Sequence, residues 1–286
     1  MTYLPVDKMK DSYGTCYLVA TPIGNLEDMS FRAIRILKEV DIIAAEDTRH
    51  TKKLLNHYEI SNKMLSYHQH NERDRSEELV EILKEGKSIA IVSDAGTPGI
   101  SDPGAVMAKR CHEESINITI IPGACAAIGA LVVSGMASDK FSFYGFLPSD
   151  KKSRKQALEE IDKLNLTTIL YEAPHRLLKT LRELIDSIGD RQVTLVKELT
   201  KIHETIWKGS ISRAISSFDE RLPKGEYVIL IEGSQERKEE SFWKGFSLDE
   251  HMAYYMEKGI SKKDAVKLIA KDKKLPKREI YDYFMK

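Results

Sequence analysis

Short apolar runs alternate with amphipathic stretches along the first part of the chain. One apolar run covers residues 17–20, a helical pattern that Ser30 can cap follows it, and a second apolar run covers residues 41–45. Strand, helix and strand in this order are typical of a parallel sheet covered by helices. The apolar face of this first helix recurs every third residue: Phe31, Ile34, Leu37 and Val40.

The same alternation continues to residue 231 and predicts two α/β lobes, at residues 13–121 and 122–233. The first lobe is completed by a helix at 73–85 and strands at 88–93 and 117–121. The elements predicted for the second lobe are helices at 124–135, 153–164 and 175–188, and strands at 141–144, 167–171, 192–197 and 226–231.

The end of the chain differs from the lobes in composition and charge. A polar linker is predicted at 234–240, and a small helical module at 241–286 with two short helices, starting at Ser261 and near Pro276. The whole chain has 44 basic and 44 acidic residues, but ten basic and four acidic residues fall within 258–286. That segment therefore carries a charge of +6, which indicates an acidic partner, usually nucleic acid.

Cysteine usage and hydropathy indicate the compartment. The three cysteines form no C-x-x-C spacing, which is typical of a reduced protein without a structural zinc site. The longest apolar stretch, at 116–136, is interrupted by Pro122 and Gly123, and the first residues show no apolar signal core. We therefore expect a cytoplasmic protein that has no metal site and does not contact a membrane.

Four loops rich in glycine and proline follow predicted strands. Glycine lets a ligand approach the backbone and proline fixes the loop, although a single loop of this kind more often only turns the chain. Four of them at strand ends predict a cleft for a small polar molecule. The absence of G-x-x-x-x-G-K-[ST] and G-x-G-x-x-G patterns argues against a Walker-type NTPase and against an ordinary dinucleotide-binding enzyme. The loops lie at residues 21–25, 94–104, 122–126 and 171–176.

These loops also carry a resemblance to a known family. The motifs at 19–28, 45–49, 93–104, 121–124 and 171–176 resemble those of the tetrapyrrole methylase superfamily, and more narrowly its ribosomal RNA branch. That branch methylates the 2′-oxygen of a decoding-centre cytidine in 16S rRNA. The resemblance covers about residues 14–233 and implies two lobes with S-adenosyl-L-methionine in the cleft between them. It also implies the small ribosomal subunit as partner and a homodimer.

The family's cofactor contacts can be carried over to the matching positions. The resemblance implies that Pro22 and Gly24 border the cleft and that Cys125 and Ala126 contact the cofactor. The adenine would be flanked by Tyr171, Glu172 and Leu199. The methionine and ribose end would be held by Asp94, Thr97, Pro98, Ile100 and Ser101.

Methyl transfer to a ribose hydroxyl needs alignment and benefits from a base. We favour a cluster of Glu46, Asp47 and Arg49 on the substrate side, with Lys197 and Glu198 as a second catalytic pair. Each of these residues has a structural alternative as an ordinary ion pair. The further candidate bases are His68, His70, Glu172 and His175.

The basic tail predicts RNA contact, although a lysine-rich helix pair is most often a solvated face. Two other functions remain open. A porphyrinoid C-methyltransferase would share the lobes, but its relatives carry G-x-G-P-G-D in the first loop, where this chain has Thr-Pro-Ile-Gly-Asn at 21–25. A non-catalytic RNA-binding assembly factor would explain the tail but not the loops. The predicted RNA-binding residues are Lys262, Lys263, Lys267, Lys277 and Arg278.

Overall fold

The computed structural model describes residues 12–218, 222–234, 245–273 and 275–285. The chain divides into two compact units, Met1–Gly233 and Ser234–Lys286. The first unit contains two sheets with their helices. Most of the predicted linker at 234–240 lies outside the described residues.

The first sheet is parallel throughout, with strand order β3-β2-β4-β1-β5. Its central strands are continuous apolar runs because helices cover both faces. The strands are β1 (Thr15–Val19), β2 (Ile42–Ala45), β3 (Met64–Ser66), β4 (Ile89–Val92) and β5 (Asn117–Ile121).

Four helices pack on this sheet, two on each face. α1 (Phe31–Glu39) and α2 (Thr48–His57) bury Leu37 and Leu55 in one core, and α3 (Glu72–Lys84) and α4 (Ala105–Glu113) pack in the other. The chain leaves the neighbouring strands β1 and β4 toward opposite faces, since β1 leads to α1 and β4 leads to α4. Their carboxyl ends therefore form a crevice, the usual ligand position in such sheets.

The second sheet is mixed, with order β6-β7-β10-β8-β9. Strands β6 and β7 run parallel, while β10 pairs antiparallel with both β7 and β8, and β9 pairs antiparallel with β8. The four loops were expected to lie at the ends of strands in parallel sheets, and the second sheet differs from that expectation because it contains antiparallel strands. The strands are β6 (Phe141–Phe146), β7 (Thr167–Glu172), β8 (Gln192–Lys197), β9 (Thr205–Ser210) and β10 (Tyr227–Ile231).

Helices cover both faces of the second sheet as well. α5 (Ala126–Ser134) packs on one face through Ala127, Ala130 and Leu131. The opposite face holds the larger core of this lobe, built by the helices that follow in the chain. These are α6 (Lys151–Lys163), α7 (Pro174–Ile188) and α8 (Ile211–Ser216).

The second unit is a three-helix module with its own small core. Its helices are α9 (Leu248–Glu257), α10 (Lys262–Asp272) and α11 (Lys277–Met285), and they enclose Val266, Ile269 and Ile280. The sequence pattern predicted two helices here and missed α9, whose start carries a capping box formed by Ser247 and Glu250. In the first unit it missed α2, α4, α8, β3 and β9.

Candidate functional site

Two adjoining cavities open where the loops of both lobes meet. The first has a volume of about 430 Å³ and is lined by the loop after β4, the start of α5 and the ends of β7 and β8. The second, of about 520 Å³, is lined by the loop after β1 and by α2. Both cavities share Ile23, Ala95, Lys201 and Glu226. A largely apolar cleft with a few polar groups suits a nucleoside-sized ligand.

The loop after β4 is held against both lobes. Gly96 pairs with Thr21 in an isolated antiparallel bridge, and the Thr97 hydroxyl donates to the carbonyl of Ala124 at 3.0 Å. Ser101 has a φ of +65°, an unusual value for a residue with a side chain. Gly145, with a φ of +62°, lies so close that a Cβ there would be 2.5 Å from the Ser101 Oγ. Glycine at 145 therefore permits the close approach of this loop to β6.

The second lobe contributes an aromatic wall around Tyr171. The ring of Tyr171 meets Phe143 and Phe146 edge-on, at centroid distances of 5.1 and 5.7 Å. Its phenol oxygen accepts the backbone N–H of Ala127 at 3.1 Å. Because the N-cap residue Cys125 makes no side-chain cap bond, the phenol oxygen serves as the cap of α5.

Glu172 is buried beneath this wall and fully engaged. It accepts hydrogen bonds from the Thr180 hydroxyl at 2.5 Å and from the N–H of Ala173 at 2.9 Å, and it pairs with Arg176 at 3.2 Å. These contacts tie β7 to α7. A buried carboxylate satisfied in this way mainly fixes the shape of the cavity wall.

A second group of charges lies where the cavities adjoin. Lys201 Nζ contacts Glu198 at 3.0 Å and Glu226 at 2.8 Å. The N–H of Glu226, donated to Glu198, lowers the pKa of the Glu198 carboxyl, and Lys201 adds to this effect. Glu198 has a φ of +52°, and backbone in this conformation is often found at functional sites.

Acidic residues of the first lobe connect the ends of β2 and β4. Glu46 accepts the N–H of Asp94 at 3.2 Å, and Asp94 accepts the N–H of Asp47 at 3.0 Å. Burial raises the pKa of Glu46. Asp47 caps α2, and the N–H of Arg49 lowers the pKa of this carboxyl.

Asp102, which was not among the residues predicted from the sequence, lines the first cavity. Burial, followed by the negative charges of Glu46 and Asp94, raises the pKa of Asp102 to about 7. The signal available in the sequence was its position in the glycine- and proline-rich loop at 94–104. Phe146 and Lys201 are further cavity residues that were not among the predicted sites, and the candidate base His175 also lines this cavity.

The predicted cofactor residues fall largely around the two cavities. Pro22, Gly24 and Asp94 line the second cavity, and Pro98 is buried and lines neither. The remaining eight line the first cavity: Thr97, Ile100, Ser101, Cys125, Ala126, Tyr171, Glu172 and Leu199.

The predicted catalytic residues separate into two places. Glu46, Asp47 and Arg49 are neighbours, and Arg49 Nε lies 3.6 Å from Asp47, but none of the three lines either of the two cavities described above. Glu198 lines the first cavity, whereas Lys197, which ends β8, does not. The candidate bases His68 and His70 lie in the turn after β3 and line neither of the two cavities.

Within the module, all five predicted RNA-binding side chains are exposed. Lys267 pairs with Asp264 at 2.7 Å. Nowhere in the described part of the chain do three His, Cys, Asp or Glu side chains come together as a metal site. No helix among the described residues is both long and apolar enough to span a membrane.

The chain is similar to several known proteins. It is 47% identical, over 97% of its length and 96% of the relative, to "Ribosomal RNA small subunit methyltransferase I" of Halalkalibacterium halodurans. It is 46% identical to the Thermotoga maritima protein of the same name, where 78% of this chain covers the whole relative. In fold it resembles the crystal structure of the methyltransferase CobJ, with a TM-score of 0.59 at 17% identity, over 77% of this chain and 95% of that one.

The family profile described as "Tetrapyrrole (Corrin/Porphyrin) Methylases" matches residues 15–215, which is most of the two lobes. The expected fold class, two α/β lobes of the tetrapyrrole methylase type, is thereby confirmed. The chain belongs to the tetrapyrrole methylase family.

Proposed function

We propose that the protein transfers a methyl group from S-adenosyl-L-methionine to the ribose 2′-oxygen of a cytidine in 16S rRNA. The observation that carries this proposal is its similarity, at 47% identity over nearly the whole of both chains, to a relative named as a small-subunit rRNA methyltransferase. The nucleotide, cytidine 1402 of the decoding centre, comes from family resemblance. Because the proposed substrate is part of the ribosome, we propose that the protein acts in the cytoplasm.

The first cavity fits the methyl donor. Its volume of about 430 Å³ lies in the range of small-molecule sites. Val196, Leu199 and Val228 offer an apolar surface for the adenine, and the carboxyl groups of Asp102 and Glu198 complement the positive charges of the sulfonium and ammonium groups. S-adenosyl-L-methionine supplies an already activated methyl group, so this chain's part is to align the acceptor oxygen with it.

The second cavity suits the target nucleotide and its neighbouring phosphates. His50, Lys53 and His57 lie on one face of α2 and line this cavity, together with Lys201. The acidic side chains around it are Asp94 and Glu226, and α2 itself contains no acidic residue from Thr48 to His57. RNA backbone along α2 would bring one ribose to the junction of the cavities. Glu46, Asp47 and Arg49 stand at the start of this helix, and we infer that they orient the substrate.

The module offers a second surface for RNA. Lys262, Lys263, Lys267, Lys277 and Arg278 are exposed on α10 and α11. The Thermotoga maritima relative is matched in full by 78% of this chain, so about a fifth of this chain has no counterpart there. Because the family profile matches residues 15–215, we assign catalysis to the two lobes and added affinity for the subunit to the module.

We also propose that the protein is a homodimer. Helix α5 packs on its sheet with one face and exposes apolar side chains on the other, with Ile128 47%, Val132 70% and Val133 42% exposed. An exposed apolar helix face of this kind favours contact with another protein surface. Sedimentation equilibrium would give twice the monomer mass, and a monomer mass at micromolar concentration would contradict the proposal.

Transfer of tritium from labelled S-adenosyl-L-methionine to three acceptors tests the proposed function. The acceptors are 30S subunits that lack the modification, free 16S rRNA and a porphyrinogen. We expect label in the subunit or the free rRNA and none in the porphyrinogen. Label in the porphyrinogen alone would identify a porphyrinoid methyltransferase, and neither transfer nor binding of the cofactor by calorimetry would favour a non-catalytic RNA-binding protein. Bound cofactor with no transfer would point to a missing partner or another substrate.

A further inference from the structure

Most carboxyl groups around the cavities already serve the fold. Glu172 accepts two hydrogen bonds and pairs with Arg176. Glu198 is bound to Lys201 and to the N–H of Glu226, which lowers its pKa. The lowered pKa makes Glu198 a weak base, and moving either carboxylate toward a substrate would leave its donors unpaired.

The carboxylates at the ends of β2 and β4 are engaged as well. Asp47 caps α2 by accepting the N–H of Arg49, Asp94 accepts the N–H of Asp47, and Glu46 accepts the N–H of Asp94. None of these bonds reaches into the first cavity, since Glu46, Asp47 and Asp94 do not line it. The negative charges of Glu46 and Asp94 nevertheless act on a carboxyl group that does line it.

That group is Asp102. Its carboxyl lines the first cavity, and within the described part of the chain it makes no hydrogen bond and no ion pair. Burial and the like charges of Glu46 and Asp94 raise its pKa to about 7. Tyr171 lines the same cavity, and burial, the Cys125 thiol and then Asp102 itself raise the pKa of this phenol to about 12.

The environment of Asp102 therefore suits a base at neutral pH. Proton transfer is most effective when the pKa of the base is near the working pH, and ordinary aspartate falls well below it. The Tyr171 phenol stays protonated and cannot take a proton. His175 also lines the cavity, but it is exposed at the start of α7.

We propose that Asp102 is the catalytic base of methyl transfer. The carboxylate of Asp102 takes the proton of the ribose 2′-hydroxyl while the ribose oxygen bonds to the methyl carbon. The bond between that carbon and the sulfonium sulfur breaks, and its electron pair returns to sulfur, which leaves as a neutral thioether. Asp102 then releases the proton to water. This role presupposes ribose methylation, as proposed above.

Single-turnover methylation of 30S subunits by the full-length protein tests the assignment. Asp102→Asn keeps the size of the side chain and removes the base, so we expect a loss of about 100-fold or more in rate with cofactor affinity changed only a few-fold. Asp139→Asn, which removes a charge from an exposed loop, is the matched control and should retain the wild-type rate.

The pH profile separates catalysis from a structural role. The wild-type kcat/KM should rise up to about pH 7 and then level off, because the ionised carboxylate is the active form. Glu46→Gln removes a like charge and should move this midpoint to lower pH, while Asp102→Asn should abolish the inflection.

Three results would overturn the assignment. They are a wild-type rate for Asp102→Asn, an inflection that survives in that variant, and loss of both rate and inflection in His175→Asn instead. Wild-type protein that labels no RNA would overturn the proposed function together with this role. Wild-type protein that labels RNA, paired with an active Asp102→Asn variant, would overturn the role of Asp102 alone.

Discussion

Replacing Tyr171 with phenylalanine removes one oxygen atom from the wall of the first cavity. That oxygen accepts the N–H of Ala127 at the start of α5, where Cys125 provides no side-chain cap. The ring itself, with its edge-on contacts to Phe143 and Phe146, should remain in place. The substitution therefore isolates the contribution of one cap to the fold and to the cavity.

The magnitude follows from the loss of that hydrogen bond. An unpaired backbone N–H at a partly buried helix start costs about 1–2 kcal/mol, by the measured cost both of lost hydrogen bonds and of lost N-caps. For a unit of this size, each 1 kcal/mol lowers the melting temperature by about 2–4 °C. Because Cys125 and Ala126 line the cavity at this helix start, cofactor affinity should also fall several-fold.

Urea denaturation and calorimetry of cofactor binding measure the two effects. Tyr17→Phe is the matched control, since Tyr17 packs on a core of the same unit and its hydroxyl makes no hydrogen bond within the described residues. The Tyr171→Phe variant should unfold at lower urea concentration than wild type and than the control. Equal unfolding midpoints for all three proteins would refute the role of the phenol as a cap.

Three further predictions concern α2 and the module. Lys53→Gln should weaken RNA binding and make the dependence of that binding on salt shallower by about one unit of slope. Lys52→Gln, on the same helix but outside the second cavity, should weaken RNA binding less. Equal losses of RNA affinity in the two variants would refute the assignment of the second cavity to RNA. Deletion of residues 241–286 should weaken binding to 30S subunits and leave cofactor binding, measured by calorimetry, unchanged. Unchanged affinity for the subunit would mean that the basic face of the module is only a solvated surface and does not bind RNA. Asp47→Ala should lower the urea midpoint whereas Asp47→Asn, which can still cap α2, should not; equal midpoints in the two variants would refute the cap.

The lobes were predictable because their strands are continuous apolar runs. Residues 41–45 and 88–93 carry that pattern, and they form the fully buried strands β2 and β4. Helix α2 was not predictable in the same way, since it buries only Thr51 and Leu55 and its other side chains, apart from the half-buried Leu54, are polar. Strand β9 is an edge strand with mixed exposure, so it shows no clean alternation.

The cavity walls were predictable from loops, but the electrostatics were not. Thr97, Ser101 and Tyr171 stand in motifs that can be read locally. Burial in the cavity raises the pKa of Asp102, and Glu46 adds to this from a different strand end, which approaches only when β2 and β4 pair. The contact of Lys201 with Glu226 likewise depends on the antiparallel pairing of β8 and β10. Contacts between residues so far apart along the chain cannot be recognised from a local sequence pattern.

The chemical position of the added methyl group tests the central claim most directly. Unmodified 30S subunits treated with the protein and S-adenosyl-L-methionine would be digested with alkali, which cleaves RNA only next to a free 2′-hydroxyl. The account predicts an alkali-resistant dinucleotide that starts with cytidine and is one methylene heavier, as read by mass spectrometry. A methyl group on a base, with alkaline cleavage intact at every cytidine, would contradict it.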